Sequence, residues 1–401
     1  MSKNIYVTGI GIISAIGKNA EETLMSLRNK KSGIGKLHHI KTRHQQNLSV
    51  GEVPQTDEEL KELCKAFADV IYTRTSLLGM VAVAEAFKSA AIVDVQEYKT
   101  GIVSATSVGG MGIAENFFSR YLDVNDNGDF LKNINTIDCS DSTERIADYL
   151  GIKDFLSTIS TACSSSANSI MYGARLLQHG IVDRVVVGGT DSLSRFTING
   201  FHSLKILDQQ PCKPFDLNRN GLNLGEGAGF LVLETEKSLN GKNVLCKLSG
   251  YGNSNDAYHQ TASSPDGAGA FLAMENAFRR SGLKAEDISY INAHGTGTEV
   301  NDLSEGLALE RIFNKKLPPV SSTKSFTGHT LAAAGGIEAV LSILSIQNNI
   351  IYPNLNFKNQ MPELGFSPAV NLDAYYNVKH VLSNSFGFGG NTSSLIFSKV
   401  N

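Results

Sequence analysis

The chain reads as an α/β protein made of two similar halves. Three observations predict it. Short, continuously apolar strand-like runs alternate with helical patterns, which is the signature of buried, largely parallel sheets covered by helices. The strand-and-helix pattern starts again after a polar stretch near Glu236 to Lys242, and glycine clusters follow strand ends in both halves. A repeated unit predicts two comparable halves, here 1–238 and 239–401, with a site where their helix ends meet.

Taken in order, Ile5 to Ser14 is a buried strand, and Gly9 and Gly11 read as a glycine turn at its end. A dinucleotide fingerprint would need a third glycine where Ser14 stands, with a helix following at once, so no cofactor is expected there. His38, His39 and His44 fall in a polar loop and read as solvated. Leu77 to Lys88 has helical spacing, and Thr100 to Thr106 follows as a strand. Asp123 to Gly128 imitates the start of a calcium loop, but its closing position is Ile134, so a solvated turn is expected.

Ser157 to Met171 runs from a strand through small residues into a helix, with Cys163 at the junction. Asp183 to Gly189 is a further strand, and a glycine-dense loop feeds another at Phe230 to Leu233. In the second half, Val244 to Gly252 echoes the opening strand. Pro319 to Lys324, with the helical run to Gln347, echoes the strand and helix around Cys163, and Ser383 to Phe397 echoes the strands near Gly189.

Composition narrows the function. The 401 residues suffice for two core-bearing units, and 41% apolar with 19% charged residues suits a globular protein. A net charge of −3 offers no basic footprint for nucleic acid. No apolar run suggests a membrane span or a leader, and the five cysteines are odd in number and lack CxxC spacing. The expectation is a cytoplasmic protein with reduced thiols and no zinc site.

Three residues could carry chemistry. A thiol at a helix N-terminus meets unpaired N–H groups and a partial positive charge, which favour its thiolate, so Cys163 is a candidate nucleophile. The plainer reading is a buried structural thiol. His294 stands at a strand end in a glycine-rich turn, where α/β folds bind substrate. His329 is expected in the first turn of the next helix, where the dipole disfavours imidazolium and leaves a neutral ring able to donate to a carbonyl. Lys324 and Glu338 are spaced for a charge pair. Together these are parts for thioester chemistry, and a Cys/His hydrolase is the competing class.

The motifs Val7-Thr8-Gly9-Ile10-Gly11, Thr161-Ala162-Cys163, Glu226-Gly227-Ala228-Gly229, Asn292-Ala293-His294, Thr323-Lys324-Ser325, Thr327-Gly328-His329 and Asn384 to Gly390 resemble the β-ketoacyl-acyl-carrier-protein synthases. More narrowly, they resemble the elongating type II class of the thiolase superfamily. The resemblance implies a thiolase-like fold of two duplicated βαβαβ-type halves in five layers. It also implies a decarboxylative Claisen condensation without cofactor or metal, acyl carrier protein as partner, and a homodimer. A heterodimer with a related subunit is the alternative.

By the same resemblance Cys163, His294 and His329 form the reacting set, supported by Lys324 and Glu338. Phe388 supplies an oxyanion N–H and a gate, and Thr296, Thr298, Val108, Met111 and Phe386 bind substrate. Arg74 and Lys205 lie where the family docks its carrier. The tail reads Gly390-Asn391-Thr392 where the family usually has Thr before Asn. Two further readings remain: the same condensation in a specialised polyketide or polyene pathway, and a non-catalytic chain-length-setting subunit. The presence of Cys163 with both histidines speaks against the latter.

Overall fold

A computed structural model describes residues 3–67, 70–374 and 376–400. Met1, Ser2 and Asn401, which the predicted halves include, lie outside them. The first half contains β1 (Tyr6–Ser14), β2 (Thr100–Ala105), β3 (Phe155–Ile159), β4 (Arg184–Asp191) and β5 (Gly227–Glu234). The second contains β6 (Cys246–Asn255), β7 (Tyr290–Asn292), β8 (Val320–Ser321), β9 (His380–Gly387) and β10 (Asn391–Ser398).

These strands form one sheet in the order β8-β7-β9-β10-β6-β1-β5-β4-β2-β3. Its middle is thin, because β1 and β6 pair only through Tyr6 with Lys247 and Val7 with Cys246. On either side of that seam the topology is the same. β5 lies antiparallel between β1 and β4, and β4, β2 and β3 run parallel. Likewise β10 lies antiparallel between β6 and β9, and β9, β7 and β8 run parallel. The repeat visible in the sequence is thus a repeat of strand order.

Helices complete five layers. α1 (Arg74–Ser89) and α2 (Met111–Tyr121) precede α3 (Cys139–Leu150), α4 (Ser165–Gln178) and α5 (Arg195–Ser203), and then come α6 (Ala268–Ser281), α7 (Glu299–Phe313) and α8 (Ala334–Asn348). The central apolar cluster joins α4 and α8 to both halves of the sheet through Ile170, Ala174, Ile337, Leu341, Val187, Leu231 and Leu395. Outside it, α1 and α3 cover one half of the sheet and α6 and α7 the other, each over a separate cluster. The window Leu331–Asn348 is long and apolar enough to span a membrane, but 89% of it is buried within the fold, as a central-layer helix requires.

Gly9 and Gly11 are not a turn. They lie inside β1, and a Cβ on Gly11 would overlap the carbonyl oxygen of Ala82 in α1. They are small because a helix lies against the strand. Gly336 does the same for α8, whose backbone meets the carbonyl oxygen of Gly229 in β5. This close approach brings the second half's central helix against the first half's part of the sheet.

Candidate active site

The Cys163 segment forms a sharp elbow between β3 and α4. Ala162 is held at φ 51°, a left-handed conformation that costs an alanine roughly 1–2 kcal/mol. The Ser165 hydroxyl accepts from the Thr161 N–H at 2.8 Å and donates to the Ala162 carbonyl, bracing the turn. Cys163 is only 6% exposed, yet its side chain lines an open cavity.

The expected resting thiolate is corrected by this environment. Burial pushes the thiol up to about 12, while the positive charge of Lys324 and the Phe388 N–H work in the opposite direction. Removing the sulfur from water outweighs both. The empty site therefore holds a thiol with the means to stabilise negative charge close by.

His294 directly follows β7. Its N–H and that of Gly295 donate to the buried Glu305 carboxylate of α7 at 2.9 and 2.8 Å, which fixes the turn. Lys324 Nζ stands 3.1 Å from His294 Nδ1. An ammonium group has donors only, so Nδ1 accepts and the ring proton sits on Nε2. The Leu331 N–H donates to His329 Nδ1 at 3.2 Å, placing that ring's proton on Nε2 as well.

The two rings meet edge to face, with centroids 5.3 Å apart. Burial, and then the Lys324 charge, hold both well below the usual histidine range, so both are neutral. His329 lies ahead of α8 rather than in its first turn, and its neutrality follows from burial instead of the helix dipole. Lys324 is itself buried and pairs with Glu338, as its spacing suggested.

Cys163, His294, His329, Thr296, Thr298 and Phe386 line one cavity of about 420 Å³. The Phe388 ring also faces this space and stacks on Phe201, centroids 5.8 Å apart. Lys205 and Asn220 help to line it as well. Val108 and Met111 do not line it. Val108 packs against the apolar cluster of Ile198, Leu222 and Leu224, and Met111 begins α2. The Arg74 guanidinium is largely buried and pairs with Glu226 and Asp57, both at 2.7 Å.

Sequence reasoning missed three residues. Phe201 faces Phe388 from α5, Glu305 holds the His294 turn, and Asp191 gathers donors at the end of β4. Only Asp191 left a signal, as a carboxylate closing an apolar strand. Asp191 accepts from the Ser107 N–H at 3.1 Å, the Ser107 hydroxyl at 2.6 Å and the Ala332 N–H at 2.8 Å. It thereby links the loop after β2 to the turn beside His329.

Residues 2–238 match the family model for the beta-ketoacyl synthase N-terminal domain, and residues 245–358 match that for its C-terminal domain. The chain is 33% identical to a 3-oxoacyl-[acyl-carrier-protein] synthase 2 of Staphylococcus aureus, covering 99% of each chain. Among solved structures it is similar to the ishigamide ketosynthase/chain length factor, with a TM-score of 0.93, 28% identity and full coverage of both chains. It is also similar to the Xenorhabdus doucetiae ketosynthase (ApeO) solved in complex with its chain length factor (ApeC), with a TM-score of 0.86, 30% identity and 99% and 98% coverage. With that fold and those matches, the chain belongs to the β-ketoacyl-acyl-carrier-protein synthases of the thiolase superfamily, acyltransferases that lengthen a fatty acyl chain by decarboxylative condensation with malonyl-acyl-carrier-protein.

Proposed function

We propose that Cys163 is the acyl-carrying nucleophile and that the Nε2–H groups of His294 and His329 are the donors that hold the malonyl thioester carbonyl. The observation that carries this reading is the shared tautomer: each Nδ1 is occupied by a donor, leaving both Nε2–H groups free to donate to substrate in the cavity that holds the sulfur. In the first step Sγ attacks the carrier thioester, the N–H groups of Cys163 and Phe388 receive the oxyanion, and the carrier leaves as its thiol.

In the second, carbon dioxide leaves the malonyl group and the two imidazoles stabilise the enolate oxygen. The enolate carbon then attacks the acyl carbonyl, a carbon–carbon bond forms, and the bond to Cys163 breaks. Loss of carbon dioxide makes the sequence irreversible without a cofactor. Thr296 and Thr298, whose hydroxyls lie 2.9 Å apart in the cavity wall, suit the pantetheine arm. Residues 1–238 thus supply the nucleophile and 239–401 the donors. Incubating the protein with acyl-loaded carrier should add the acyl mass to Cys163, and Cys163→Ala should take up none. Acyl loading retained in that variant would overturn the assignment.

A homodimer fits the exposed face beside β3. That strand ends the sheet and Leu156 on it stands exposed, and Phe118, Tyr121 and Leu131 of the same half are exposed apolar residues as well. A heterodimer is the second reading, favoured by the two solved ketosynthases whose titles name a chain length factor. Five unbridged cysteines suit a reducing cytoplasm.

A further inference from the structure

A left-handed alanine such as Ala162 keeps its conformation only where its surroundings hold it, so the elbow at Cys163 depends on its neighbours. Bonds within the elbow supply part of that hold, among them the Ser164 hydroxyl, which donates to the Thr161 carbonyl at 2.8 Å. The rest comes from a chain of side chains that starts in the other half of the molecule.

Ser393, fully buried on β10, donates from Oγ to Asn168 Oδ1 at 2.8 Å. Asn168 lies in the first turn of α4, and its amide nitrogen donates to Thr161 Oγ1 at 2.9 Å and to Ser164 Oγ at 3.3 Å. Both amide protons and the amide oxygen are therefore engaged. Thr161 and Ser164 flank Ala162 and Cys163 on either side, so the amide grips the elbow at its two ends. A second tie runs between the halves in the same place: the Gly336 N–H of α8 donates to Ser166 Oγ of α4 at 2.8 Å. Neither Asn168 nor Ser393 lines the cavity, so neither meets substrate.

We propose that Asn168 and Ser393 are positioning residues for the acylation step, a relay through which the second half holds the Cys163 elbow where Sγ and the Cys163 N–H both face the incoming thioester. The inference rests on Cys163 as the loading site. The histidine turns have supports of their own, Glu305 for His294 and the Asn223 carbonyl, which accepts from the His329 N–H at 2.7 Å. The relay therefore serves one half-reaction and leaves the other alone.

The test compares two rates in each variant: acylation of Cys163 by octanoyl-loaded acyl carrier protein, followed by mass spectrometry, and carbon dioxide release from malonyl-loaded carrier. Asn168→Leu keeps a branched side chain and removes the bonds to Thr161, Ser164 and Ser393. Its limiting rate of acylation should fall roughly tenfold, with the half-saturating carrier concentration and decarboxylation within about twofold of wild type. Ser393→Ala removes one hydroxyl, asks little of the fold, and should lower acylation about threefold.

In the Asn168→Leu background Ser393→Ala should lower acylation no further, because its partner is gone. A general loss of stability would instead lower both rates together. Acylation within about twofold of wild type in both single variants, an equal fall of both rates, or additive losses in the double variant would overturn the relay while leaving Cys163 loading intact. Absence of any acyl adduct in the wild type would instead overturn the reading beneath it.

Discussion

Lys324 Nζ lies 3.1 Å from Nδ1 of His294. The same ammonium group pairs with the buried carboxylate of Glu338, which also accepts from Ser385 Oγ at 3.3 Å. One cation therefore sets the tautomer of the His294 ring and compensates a buried carboxylate. Lys324→Met should destabilise the protein by about 3–5 kcal/mol in urea denaturation, because the Glu338 charge is left unpaired in the interior. Adding Glu338→Leu should recover most of that loss, and a double variant as unstable as the single one would count against the pairing.

His329→Ala should cost more in malonyl decarboxylation than in acyl transfer. Removing one oxyanion-type donor typically costs about 10²–10³ in rate, whereas acylation of Cys163 should fall less than about tenfold. Parallel assays of carbon dioxide release and acyl-adduct formation read the two steps separately. Equal losses would remove the assigned role.

Because burial pushes the Cys163 thiol up to about 12, its thiolate fraction is small at neutral pH and grows as protons are withdrawn. Alkylation of the Cys163 peptide by iodoacetamide should speed up by about tenfold per pH unit from pH 7 to 10 without a plateau. A plateau near pH 7 would show that the thiolate is already formed in the empty site.

Asp191→Asn should weaken the link between the loop after β2 and the turn beside His329. An amide nitrogen would face the Ser107 and Ala332 N–H groups, which already point at the carboxylate. The expected cost is about 1–3 kcal/mol in stability, with decarboxylation falling further than acylation. Thermal unfolding and the two half-reaction assays test it together.

Leu156→Arg places a charge on the edge strand β3, where Leu156 is 41% exposed. If the proposed homodimer forms through this edge, sedimentation velocity should show the wild type as a dimer and the variant shifted toward monomer. An unchanged dimer would move the interface elsewhere.

Much of the fold was legible because most of its strands are apolar and buried, and because the strand order repeats. The halves therefore echo each other in the linear pattern. Gly9 and Gly11 were misread for a physical reason: a glycine that admits a helix against a strand looks the same in sequence as one that turns the chain. Val108 and Met111 lie outside the cavity that Cys163 lines, because cavity lining is set by tertiary packing. His329 was taken for a helix-start residue since the short helical turn at Lys324–Thr327 ends before α8 begins.

By itself, the order of residues determined the α/β class, the duplicated plan and the family, and it named the candidate reacting groups, since these depend on local pattern and on side-chain types at fixed spacing. Only the folded chain decided their protonation. Whether sulfur 163 rests as a thiol, and which nitrogen of each imidazole keeps its proton, depends on burial and on groups such as Lys324, Leu331 and Phe388 that folding brings beside them. Desolvation and hydrogen-bond direction are properties of the surroundings, and those exist only once both halves have closed around the cavity.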